Sequence, residues 1–129
     1  MRIRPVFLLM SLLLAAACDP GHFGTLWIRN ESPHALTLAY STRLRDSSLT
    51  IPPGAQLEVF AFGGLGAGAE YSCVPCEFTS VALQPADPAL RLRKAVADPG
   101  QWLIDNPNTW RFSSKPIRGE FVVTKADVE

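Results

Sequence analysis

Much that would name a chemistry is missing from this chain of 129 residues. It has only two histidines, His22 and His34, so a serine triad and a zinc site would both have to draw on the same pair. A structural zinc needs about four ligands, and no GxSxG accompanies the histidines, so no metal site and no catalytic residues are expected. The glycine-rich residues 63–68 (GGLGAG) have neither the GxGxxG spacing nor the lysine and serine of a P-loop. They read as a mobile surface loop rather than a phosphate cradle, and no cofactor is expected. Charge of one sign is lacking too, since 12 basic side chains balance 12 acidic ones. The one basic cluster, Arg91, Arg93 and Lys94, is too small to track a phosphate backbone, which argues against a nucleic-acid partner. Methionine is confined to Met1 and Met10, so nothing later offers a thioether to copper. The apolar run over residues 6–17 (VFLLMSLLLAAA) counts 12, short of the roughly 20 that a membrane-spanning helix requires.

What is present begins at the N-terminus. Arg2 and Arg4 precede that apolar run, and small residues lead into Cys18, the layout of a secretory signal peptide. With Ala15, Ala16, Ala17 and Cys18, its end resembles the lipobox of bacterial lipoproteins, whose cysteine is lipidated and becomes the mature N-terminus. Lipoboxes favour leucine where this chain has Ala15, with Leu14 one place early; the alternative is an ordinary signal cleaved nearby at an AxA-type site. The resemblance implies that residues 1–17 are removed and that Cys18 carries a lipid such as palmitate. The protein would then be membrane-held in the cell envelope and face the periplasm. Asp19 resembles the inner-membrane retention signal of the enterobacterial sorting rule, but other bacterial groups read other positions, so inner against outer membrane stays open.

Removing residues 1–17 from 129 leaves 112, enough for one domain with one core. Residues 18–24, with Pro20 and Gly21, read as the lipidated cysteine and a short tether, and residues 25–129 as a single domain. Prolines and glycines cut that domain into pieces mostly too short for helices. Leu26 to Ile28, residues 35–42, Leu49 to Ile51, residues 56–62, residues 77–83, residues 90–93 and residues 117–124 read as short strands, several with the period of two of a half-buried strand. In residues 56–62, Leu57 and Val59 fall on one side and Phe60 and Phe62 on the other, the pattern of a central, doubly covered strand. Asp98 and Pro99 are set to cap one helical turn, and Thr124 with Asp127 another. The fold class is therefore all-β: a small antiparallel β-sandwich, loosely immunoglobulin-like, of about seven short strands.

Three further segments carry a functional reading. Three cysteines are odd for a secreted chain, but lipidation of Cys18 leaves Cys73 and Cys76 as a pair for a disulfide in an oxidising compartment. Their CVPC resembles the CxPC of thioredoxin-like proteins, but a strand-like run follows it instead of a helix that would lower the thiol pKa. A structural clip is the expected role. Near the C-terminus, Trp102 and Trp110 flank Asp105, Asn106 and Asn108, a mixture of aromatic faces and polar groups that suits a sugar or peptide, including peptidoglycan; the competing reading is core tryptophans and turn-forming amides. Finally, Gly68 and Tyr71 match two places in the Ser-x-Ser-Gly-x-Lys/Arg-Tyr loop of small lipid-anchored inhibitors of vertebrate-type lysozyme. Where that family has its serine and basic residue, this chain has Gly66, Ala67 and Glu70. The leading expectation is a non-catalytic binding or structural module that contacts an envelope protein; the alternative is a periplasmic inhibitor or a carbohydrate- or peptide-binding lipoprotein.

Overall fold

The computed structural model describes residues 20–129. Residues 1–19, and with them Cys18 and the signal-like segment, lie outside the described residues. Seven strands form two sheets: β1 (Gly21–Glu31), β2 (Leu36–Ser41), β3 (Asp46–Ile51), β4 (Gln56–Leu65), β5 (Ser80–Pro85), β6 (Leu103–Asp105) and β7 (Ile117–Thr124). One sheet has the order β4-β1-β7-β6 and the other β3-β2-β5. Together they make the all-β sandwich expected from the alternating patterns. Four short 3₁₀ turns, at Gly68–Glu70, Pro75–Glu77, Pro99–Gln101 and Lys125–Asp127, are the only helical pieces among the described residues.

Alternation decides which residues meet. In β1, Leu26, Ile28 and Asn30 turn inward while Thr25, Trp27 and Arg29 stand between them on the outer face. β7 does the same with Ile117, Gly119, Phe121 and Val123, and β2 with Leu36, Leu38 and Tyr40. Each fully buried Leu, Ile or Phe contributes roughly 1.5–3 kcal/mol, so these three strands supply most of the drive for the two sheets to close. Tyr40 keeps its hydroxyl satisfied inside the core by donating to the Val59 carbonyl at 3.0 Å, which also ties one sheet to the other.

All strand pairs are antiparallel except one. β1 and β7 run parallel, Gly24 opposite Ile117 through Glu31 opposite Thr124. A parallel pair needs a long connection between its strands, and the first and last strands of a domain have one by default. Gly24 is what lets them approach there, because a Cβ at that position would lie 2.1 Å from the Ile117 carbonyl oxygen.

Several sequence expectations change. β1 starts at Gly21, so Gly21, His22, Phe23 and Gly24 belong to the sheet and pair with Leu65, Gly64, Gly63 and Phe62 instead of forming a tether. By the same pairing, the first part of the glycine-rich segment continues β4 rather than looping free. β4 is not doubly covered: Leu26 faces Phe60 while Trp27 faces Glu58, which leaves Val59 as the extra residue of a β-bulge. The bulge switches the side-chain parity, so Leu57 before it and Phe60 and Phe62 after it face the same side, opposite Ile28, Leu26 and Gly24, and Val59 itself is buried. The alternating residues 90–93 form no strand; only Leu92 bridges to Val128. The strand expected at residues 77–83 starts at Ser80, because a 3₁₀ turn that begins inside the CVPC, Pro75–Glu77, takes up Glu77. Asp98 caps its turn as expected, accepting from the Gly100 N–H at 2.9 Å, and Thr124 and Asp127 form a capping box.

Candidate functional site

Strand register places three connections and the chain entry at one end of the sandwich. β1 and β7 begin there, Gly24 beside Ile117, and β4 ends there, Leu65 beside Gly21. In the second sheet, β2 ends and β3 and β5 begin at the same end, Ser41 beside Asp46 and Ser80. The loops over residues 66–79 and 106–116 meet at Pro20, where Leu65, Gly66, Ala67, Glu70 and Arg111 line one groove with it, and the 42–45 turn closes the same end of the second sheet. The opposite end is closed by Asn30, buried where the β3–β4 turn meets β1.

The glycine segment and the tryptophan segment, separate candidates in the sequence, are held against each other. Asn106 donates to the Gly68 carbonyl at 2.7 Å, and the Asn108 side chain lies where a Cβ on Gly68 would stand, 3.0 Å away. Asn108 is buried with its amide fully used. It donates to Asn106 Oδ1 at 2.9 Å and to the Lys115 carbonyl at 3.0 Å, and it accepts from Ser113 Oγ at 2.9 Å and the Lys115 N–H at 2.8 Å. These bonds close residues 108–115 into a compact loop on the sandwich. The two asparagines thus do the turn-forming work that the competing reading assigned them.

The tryptophans part company. Trp102 is buried, its indole N–H donating to the Val96 carbonyl at 2.8 Å and its ring tilted on Phe121 at 5.4 Å between centroids. It belongs to the core. Trp110 is exposed and meets Phe112 edge to face at 5.8 Å, with the Arg111 guanidinium 5.6 Å from the Phe112 ring centre. Asp105 is exposed at the end of β6. The five residues of the sequence-derived surface are therefore one core ring, two structural amides and two outward groups. Leu44, Leu65 and Phe112 stand exposed at the same end and were passed over, because single apolar residues between polar neighbours leave no periodic trace.

Tyr71 is packed rather than presented: it stacks on Phe62 at 4.8 Å and leans on His22 at 5.2 Å. Burial, reinforced by the nearby Glu77 carboxylate, pushes its phenol well above the ordinary range, and its hydroxyl has no hydrogen-bond partner among the described residues. Gly68 is buried behind Asn108, so the two residues shared with the lysozyme-inhibitor loop do not protrude. His22, expected in a solvated tether, is instead half-buried in β1 with Nδ1 3.2 Å from the Gly66 carbonyl. Cys73 and Cys76 pair at a Cα separation of 5.5 Å, with Val74 between them driven fully into the core. Among the described residues, no three His, Cys, Asp or Glu side chains gather as a metal-holding group. No family model matches the chain, and no curated protein or solved structure matches it.

Proposed function

We propose that this protein is a lipid-anchored module of the cell envelope, acylated at Cys18 and facing the periplasm, with a folded head that binds a partner rather than catalysing a reaction. The observation that supports this most is how soon the fold begins. The Pro20 carbonyl accepts from the Gly66 N–H at 2.7 Å, and Gly21 already pairs in the sheet. Pro20 lies two positions after Cys18, a reach of roughly 7 Å at full extension. A lipid on Cys18 would hold the sandwich directly at the membrane surface, where it meets other envelope components.

Intact mass of the protein extracted from cell membranes tests the anchor. The expected species begins at Cys18, carries the added acyl mass, and takes up alkylating agent at Cys73 and Cys76 only after reduction. An unlipidated mass refutes the anchored reading. Crosslinking in cells is expected to recover one defined envelope protein, and scattered adducts would count against a binding role.

A further inference from the structure

The structure assigns a partner to the loop end of the sandwich: we infer that it is a membrane-seating surface that takes the boundary between phospholipid headgroups and acyl chains. This rests on the anchored reading above. Six large apolar side chains stand exposed among the described residues, and five of them lie on strand ends and loops at the end of the sandwich where the chain enters: Leu44 at 95%, Leu65 at 80%, Trp110 at 61%, Phe112 at 54% and Phe23 at 44%. Only Leu103, on the outer face of β6, lies apart from this group. Phe23 and Leu65 share the outer face of the first sheet as diagonal neighbours, since Gly21 pairs with Leu65 and Phe23 with Gly63. Leu44 tips the loop between β2 and β3, held by Thr42 Oγ1, which accepts from the Leu44 and Arg45 N–H groups at 3.3 and 3.2 Å.

Cations accompany these residues. The three loops at this end carry Arg43, Arg45, Arg111 and Lys115, balanced by Glu70 and Glu77 in the loops and by Asp46 and Asp105 at the strand ends beside them. Leucine and aromatic tips with arginine beside them match the composition of interfacial anchors: the apolar tips enter the acyl boundary and the cations remain at anionic headgroups. The chain's path selects lipid over other occupants. Pro20, Leu65, Glu70 and Arg111 line a single groove of about 400 Å³, and the lipid-bearing Cys18 is two residues from that groove. An acyl chain anchored there brings this end, and no other, against the bilayer. The asparagine bonds that clamp residues 106–116 to the Gly68 turn hold Trp110 and Phe112 in place, so contact orients the head and turns the Asn30 end toward the periplasm.

The test uses the full lipidated protein, purified from membranes and reconstituted into vesicles of phosphatidylethanolamine and phosphatidylglycerol, some of them brominated on the upper acyl chain. Subtracting the Trp110→Phe emission isolates Trp110. That emission is expected to be blue-shifted, quenched by brominated lipid and protected from aqueous iodide. Leu44→Ser with Leu65→Ser is expected to reverse all three effects while the protein still floats with the vesicles. If Trp110 stays open to iodide and unquenched on floating protein, the inference is overturned and the anchor survives. Protection from iodide without lipid quenching means a second copy or another surface covers the patch, which also overturns it. A mass without lipid on Cys18 defeats the anchored reading, and this inference with it.

Discussion

Asn30→Asp replaces one terminal atom in the buried clamp at the far end of the sandwich, and its cost can be worked from the contacts. The Asn30 amide nitrogen donates to the carbonyls of His34, Ile51 and Pro52 at 2.7, 3.2 and 3.2 Å, while its oxygen accepts from the Ser32 N–H at 3.1 Å and Ser32 Oγ at 2.7 Å. The substitution keeps the size and the acceptor but turns an oxygen toward three carbonyl oxygens. Two donated hydrogen bonds are lost, at about 1 kcal/mol each. The new carboxyl is fully buried with no cation beside it, so its ionisation becomes harder by about 2–3 pKa units, a further 3–4 kcal/mol at neutral pH. The total, roughly 5 kcal/mol, rivals the entire stability of a small domain, about 5–15 kcal/mol. Because the folded pKa is raised, the ionisation penalty is absent below the ordinary aspartate range and grows as pH rises above it. Thermal unfolding followed by circular dichroism, with Cys73 and Cys76 oxidised, is expected to show a fall of roughly 20 °C at pH 7 relative to the parent protein. The gap should narrow when both proteins are compared near pH 4. A melting point within about 4 °C of the parent at pH 7, or a gap that ignores pH, would refute the clamp.

Gly24→Ala drives a methyl into the Ile117 carbonyl oxygen and should cost about 3 kcal/mol or more by urea unfolding, whereas Gly54→Ala, which meets open space and only a positive φ of 75°, should cost about 1–2 kcal/mol. Asn108→Ala strips the Lys115 N–H of its acceptor, so hydrogen exchange at Lys115 should accelerate by at least tenfold while the β1 and β7 amides keep their protection; unchanged exchange would deny the clamp's role. Removing the clip with Cys73→Ser and Cys76→Ser should lower stability by about 2 kcal/mol, the loop entropy of so short a closure, with the loss read in urea midpoints. Burial pushes the Asp127 carboxyl up, but bonds from the Thr124 N–H and hydroxyl and the charges of Lys94 and Arg93 outweigh it and hold the carboxyl below its ordinary value. A lowered folded pKa gives stability above the ordinary aspartate range that is lost on acidification, so Asp127→Asn should flatten the acid limb of the stability profile.

Local signals in the chain carried well where one strand's own alternation was enough. β2 and β7 follow their pattern of two residue by residue, and the caps at Asp98 and Thr124 form as their side-chain chemistry requires. The pattern misled where pairing overrode it. Glycine and histidine at Gly21 and His22 look like linker, yet a neighbouring β4 of matching length supplies their backbone partners, which no local signal reveals. The apolar residues on both sides of β4 read as double burial until the bulge at Val59 is seen, because one inserted residue moves the inward side from odd to even positions. β6 is only three residues long and exists because the edge of β7 offers it a ladder.

The amino-acid sequence alone determined the class of structure, and it is the whole basis on which a lipid anchor is proposed. Proline and glycine spacing ruled out long helices, alternation demanded sheets, and the residues up to Cys18 resemble a lipoprotein signal. Those properties are local, written within a few residues of each other. Only the tertiary structure decided which of the candidate groups act together. It sent Trp102 into the core and left Trp110 outside, spent Asn106 and Asn108 on holding one loop to another, and brought Leu44, Leu65 and Phe112 to the end where the chain enters. Residues more than 60 positions apart share that end because strand direction and register place them there, and those are properties of pairing between distant segments that no single segment encodes.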